Sequence, residues 1–90
     1  MNNDRRKQLR KAIELINEAK LKIDEAYTIV DSCADDEQDA FDNLSENLQC
    51  SERGNAMENA IASLEEARDG LDEMSESADS VCSSIEEAIE

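Results

Sequence analysis

The chain has no histidine, no proline and no tryptophan, and only one phenylalanine, one tyrosine and two glycines in 90 residues. Each shortage excludes something. Without histidine, the usual base for a serine or cysteine nucleophile and the commonest metal ligand are both missing. Without proline, and with so little glycine, few positions oblige the backbone to turn. Aromatic residues make up 2%, so any core has to come from Leu, Ile, Val, Met and Ala, which suits narrow helical interfaces. A chain this short buries only about 60–65% of the surface its unfolded form exposes, which leaves little room for a large enclosed pocket. No run approaches the roughly 18 apolar residues of a membrane span, and the basic start leads into an amphipathic segment, unlike a secretory signal. Cys33, Cys50 and Cys82 are odd in number, far apart and outside any Cys-x-x-Cys pair. They fit neither a disulfide framework nor a zinc site and point to a reducing cytoplasm.

What the chain does have is charge and periodicity. Twenty-four acids face nine bases, a net charge of −15. Leu9, Ile13, Ile16, Ile23, Tyr27, Val30 and Ala34 recur at alternating steps of four and three, with Lys20 in one polar slot. The spacing continues through Phe41, Leu44 and Leu48 if Glu37 fills a second. This heptad seam predicts a helix over about 4–44, roughly 60 Å long. A second seam, Met57, Ile61, Leu64, Leu71, Ala78, Cys82, Ile85 and Ile89, is flanked by Ala60, Ala67, Met74, Val81 and Ala88. It predicts a helix over about 52–88, with Ser51 as its N-cap and Glu52 in its first turn. Gly54 lies too early to break it, and Gly70 inside it is either a tolerated glycine or the site of a close crossing or slight kink.

The reversal belongs at about 45–51, where turn-compatible residues coincide with a change of seam phase. The expected fold is therefore all-α: a single domain over 1–90 forming a long antiparallel helical hairpin. One helix cannot cover the whole of a stripe this wide, so a homodimer, as a four-helix bundle or coiled coil, is the expected assembly. A monomer with frayed ends, or three helices broken near Cys33 to Asp36, are the alternatives.

Charge is unevenly distributed. Residues 1–22 carry seven bases (Arg5, Arg6, Lys7, Arg10, Lys11, Lys20, Lys22) and three acids, whereas the rest carries two bases and 21 acids. A hairpin sets the basic start beside Glu73, Glu76, Asp79, Glu86 and Glu87, which favours the antiparallel sense. Towards the turn lie Asp35, Asp36, Glu37, Asp39, Asp42, Glu46, Glu52 and Glu58, with Arg53 the one nearby base. Such a tip is either simply solvated or kept for a basic partner. Direct binding of nucleic acid is not expected, because phosphate contacts need a basic face.

Asp35, Glu37, Asp39, Asn43 and Glu46 fall at the ligand spacings of a calcium loop, but Ala40 replaces the glycine of the sharp turn and Asp42 stands where an apolar residue belongs. No metal or other cofactor is expected. Nor is an enzyme, since the cysteines have no base, Ser75 to Ser84 shows no nucleophile elbow, and pairs such as Glu65 and Glu66 lie on solvent faces.

The stretch from Asp36 to Ala67, built around Phe41-Asp42-Asn43-Leu44, Leu48-Gln49 and Ser51-Glu52-Arg53-Gly54, resembles a family of small acidic proteins encoded by bacteriophages and prophages. The likeness is strong over about a third of the chain. It departs at Ser45, where proline is common in the family. The resemblance implies a phage gene product at work in the bacterial cytoplasm and carries no catalytic residue with it. Arg53 and Asn43, beside Asp42, have the donors to tie the turn together or to meet a partner. Taken with the charge, the expected role is inhibition of a basic host protein, such as a nuclease or nucleic-acid-binding defence protein, by a DNA-like negative surface. The rival is a structural or adaptor protein that works through its apolar seam.

Overall fold

Asn2 starts the first helix. Its side-chain oxygen accepts from the Arg5 N–H at 2.8 Å, and Asp4 in the first turn puts a negative charge at the positive end of the dipole. In the computed structural model, which describes all 90 residues, α1 then runs unbroken over Asn3–Asp42. A one-turn α2, Glu46–Gln49, follows, and α3 spans Glu52–Ile89. The molecule measures 68 × 15 × 14 Å, the outline of two helices side by side. No helix is long and apolar enough to cross a membrane.

The reversal lies where the sequence places it, but is tighter than a plain loop. α1 stops two residues earlier than expected, at Asp42, and Asn43 caps it with its backbone N–H on the Asp39 and Phe41 carbonyls. Ser45 caps α2 and Ser51 caps α3, each through its hydroxyl oxygen. Gln49 supplies the remaining link, its side-chain amide donating to the Phe41 carbonyl at 3.2 Å and the Leu44 carbonyl at 3.3 Å. Gln49 thus does what the sequence suggested for Arg53 and Asn43. Arg53 is exposed and forms no ion pair, and Asn43 acts only through its backbone. Leu48 sits on α2 with 45% of its surface exposed, outside the seam, because the chain has already left the heptad phase at Asn43.

Gly54, in the first turn of α3, is buried against α2. A Cβ there would lie 2.5 Å from the Leu48 carbonyl oxygen and closer still to that of Gln49. Only glycine lets α3 start so close to the turn before it. Gly70 is different, since an added Cβ would meet nothing within 4 Å. Within one copy it marks no close crossing.

Burial follows the heptad. Every a and d position is covered: on α1 Arg6, Leu9, Ile13, Ile16, Lys20, Ile23, Tyr27, Val30, Ala34, Glu37 and Phe41, with Leu44 just past its end; on α3 Gly54, Met57, Ile61, Leu64, Arg68, Leu71, Ser75, Ala78, Cys82, Ile85 and Ile89. Beside the seam, Ala12, Ala26, Asp31 and Gly70 are partly covered as well. Ala34, mid-helix and 3% exposed, stands where a three-helix chain would have broken. The seam is thin, however. Only Ala34, Gly54, Ile61 and Cys82 are buried outright, and the other seam residues stay half-exposed because a single partner helix covers only part of each stripe.

Candidate interaction surface

Four side-chain-to-side-chain links cross between α1 and α3, and they share one geometry. Lys20 Nζ donates to both oxygens of Asp79 at 2.8 Å. Arg68 Nη1 reaches Asp31 Oδ1 at 3.2 Å, Ser75 Oγ donates to Asp24 Oδ1 at 3.0 Å, and Cys82 Sγ lies 3.8 Å from Asn17 Oδ1. In every pair the two residue numbers add to 99. The hairpin therefore holds one register over Asn17 to Asp31 on α1 and Arg68 to Cys82 on α3. In each link a seam residue reaches the residue directly after a seam position of the other helix, on the same side of the hairpin.

Three of the four donors or acceptors in the seam, Lys20, Arg68 and Ser75, are the slots that interrupt the apolar pattern. Half-covered polar groups stay satisfied by reaching sideways to a carboxylate at the edge. The Lys20 ammonium is held above its ordinary value of 10.5, mainly by its hydrogen bond to Asp79, and the Arg68 guanidinium is raised likewise by Asp31. At the open end Arg6 Nε donates to the Ile89 carbonyl at 3.1 Å, which supplies a cation to the C-terminus of α3, whose last turn has no base of its own. The expected attraction between the basic start and the acidic end thus reduces to one ion pair, Lys20 with Asp79, and one capping bond.

The register gives the rod two unlike flanks. With Arg6 and Gly54 as heptad position a, the flank that carries the four links holds the e positions: Arg10, Asn17, Asp24, Asp31 and Gln38 on α1, and Glu58, Glu65, Asp72, Asp79 and Glu86 on α3. In an antiparallel pair these positions face one another. Asp72 is therefore the nearest e position of α3 to Asp24, and Glu65 the nearest to Asp31, each within a turn of level, so like charges neighbour one another, with Lys20 and Arg68 the cations among them. Asp35, Asp42, Asp69 and Glu76 widen this carboxylate flank at the neighbouring b positions.

The eight acids singled out near the turn do not form a single patch. Asp35, Asp42 and Glu58 border the carboxylate flank, and Glu46 and Glu52 sit on the turn. Asp39 points away at the back of α1, Asp36 lies on the opposite flank, and Glu37 is half-buried in the seam. None of the eight forms an ion pair. Asp24, Asp31, Glu65 and Asp72 are the flank residues that counting acids along the chain missed. Their signal is the seven-residue spacing beside the seam. The spacing Asp35 to Glu46 that mimics a calcium loop lies mostly in α1, and no three acidic or cysteine side chains gather as metal ligands would.

The other flank, at positions c and g, is almost free of charge. From Ala56 to Ala88, α3 presents Ala56, Ala60, Ser63, Ala67, Gly70, Met74, Ser77, Val81, Ser84 and Ala88 there. Met74 is 52% and Val81 49% exposed, so these residues flank the seam without entering it. Comparison with protein-family models, with curated proteins and with solved structures gives no match to this chain.

Proposed function

We propose that the chain is a small acidic phage-type protein of the bacterial cytoplasm that binds and inhibits a basic host nucleic-acid-binding or defence protein, acting as a homodimer. The observation that supports this reading is the carboxylate flank, where acids recur at every e position of α3 and are matched by Asp24 and Asp31 across the seam. Twenty-four carboxylates along 68 Å amount to about one per 3 Å, against about one phosphate per 1.7 Å of duplex axis. Carboxylates then replace phosphates opposite Lys and Arg, association is fast at low salt, and affinity falls as salt rises. No side chain of the rod performs chemistry in this scheme.

The test is capture from bacterial lysate on the immobilised chain at low and high ionic strength, followed by elution with duplex DNA. Capture at low salt, release by duplex, and loss of capture when Asp24, Asp31, Glu65 and Asp72 are all changed to lysine support the reading. A partner retained by that variant while it stays helical overturns it. The adaptor reading draws on a different observation, the exposed Leu15, Ile29, Met74 and Val81. Because the seam is already occupied within the chain, an adaptor would work through those residues, and its complex would survive both high salt and the charge reversal.

A further inference from the structure

A folded chain of 10.0 kDa ordinarily exposes about 5,200 Å², whereas this one exposes 6566 Å². The excess, about 1,300 Å², exceeds the roughly 800 Å² that each partner contributes to a standard interface. The elongated 68 × 15 × 14 Å outline exposes that surface, and for a second copy laid on it the two flanks are not equal candidates. A second copy laid on the carboxylate flank would set acid against acid. The neutral flank has no such obstacle.

On α1 the neutral flank carries just two charges between Gln8 and Ala40, Lys22 and Asp36, seven positions to either side of Ile29. Ile29 is 64% exposed. A two-fold axis through Ile29, perpendicular to the rod, runs α1 against its own copy in the opposite direction. Lys22 of each chain then meets Asp36 of the other, and Ile29 packs on its counterpart. The hairpin register places Gly70 level with Ile29, so the same axis brings α3 onto its copy at Gly70, where the absent side chain permits close approach. Gly70 has no such use within one copy. The alternative axis, along the rod, puts both turns at one end and sets Lys22 and Asp36 opposite uncharged α3 residues, which leaves both charges unpaired and brings two unneutralised tips together.

We infer that the homodimer is an antiparallel four-helix bundle, closed through the neutral flanks about an axis at Ile29 and Gly70, with each basic N-terminal segment beside the other copy's acidic turn. This rests on the dimer proposed above and adds its face and direction. It leaves both carboxylate flanks on the outside.

Two measurements test it on the full chain. Sedimentation equilibrium is expected to give a dimer that Lys22→Asp weakens about tenfold, through lost attraction and new repulsion at two symmetric sites. Lys22→Asp combined with Asp36→Lys restores the dissociation constant to within about threefold of the starting protein. Second, with Cys33→Ser and Cys82→Ala, a spin label on Cys50 reports the separation of the two turns. The antiparallel bundle places them more than about 45 Å apart, from the 1.5 Å rise per residue over the stretch from Gly70 back to the turn. A dimer with labels within about 25 Å of each other overturns the direction while leaving dimerisation intact, and so does a charge swap that fails to restore association. A chain that is monomeric at all concentrations overturns both the inference and the dimer. Helical circular dichroism equal to that of the unaltered chain certifies that each variant folds.

Discussion

The two flanks of this rod are made from the same two helices in the same register, yet one collects carboxylates and the other small neutral side chains. The difference teaches that a heptad fixes more than a seam. Once the helices are antiparallel, e positions face e and g positions face g. A bias confined to one letter of the repeat therefore becomes a continuous surface. On the carboxylate flank, interruptions in the seam have a purpose, because Lys20, Arg68 and Ser75 each reach an acid there. On the neutral flank nothing polar crosses between the helices, and the apolar side chains beside the seam stay in solvent.

The comparison depends on the register, and the largest expected effect comes from destroying it. Ile61, 7% exposed, packs at the centre of the seam near the turn. Ile61→Asp should lower stability by about 3–5 kcal/mol, through lost burial and an unpaired charge, with the thermal transition by circular dichroism as the readout. A variant melting at the original temperature would mean that the seam is not the source of stability. Gly54→Ala comes next. Its Cβ collides with backbone oxygens of Leu48 and Gln49, so the turn must shift, at a cost of about 1–3 kcal/mol. An unchanged melting temperature would show that the turn yields to a methyl group without cost.

Smaller effects separate the flanks themselves. Adding salt from about 20 to about 500 mM shrinks the Debye length from roughly 20 Å to roughly 4 Å, which weakens the repulsion between Asp24 and Asp72 and between Asp31 and Glu65. The melting temperature should rise by a few degrees, and the rise should shrink in Asp72→Asn. A fall with salt would mean that the ion pairs outweigh the repulsion. The smallest expected effect concerns Lys20. Its folded-state value is raised, so its contribution is fully present below the ordinary value of 10.5 and is lost as pH climbs through the raised one. The stability difference between the chain and Lys20→Met should therefore be constant through neutral pH and decline only in that alkaline window. A difference that vanishes near neutrality would contradict the pairing with Asp79.

Much of this was legible in the sequence. The two helices, the place of the reversal, the Ser51 cap and both polar slots on α1 follow from spacing, because a strict four-three alternation admits one helical phase. The details of the turn were not legible. Ser45 and Gln49 are ordinary residues whose capping roles depend on a one-turn helix, and a four-residue element shows no periodicity. The acidic surface was half legible. Counting acids along the chain pointed to the turn, where local density is highest. The flank instead gathers residues from both helices that lie far apart in the chain, as Asp24 and Asp72 do at 48 positions. Only the antiparallel register brings them together.

The sidedness of the rod is tested most directly by titrating whatever basic protein the proposed lysate capture yields with the purified chain at several salt concentrations. The carboxylate flank predicts that the logarithm of the affinity falls steeply and linearly with the logarithm of salt. It also predicts a shallower slope when Asp24, Asp31, Glu65 and Asp72 become amides, and an unaltered slope when Val81 on the neutral flank becomes serine. Affinity independent of salt, or lost through the Val81 change alone, would contradict it.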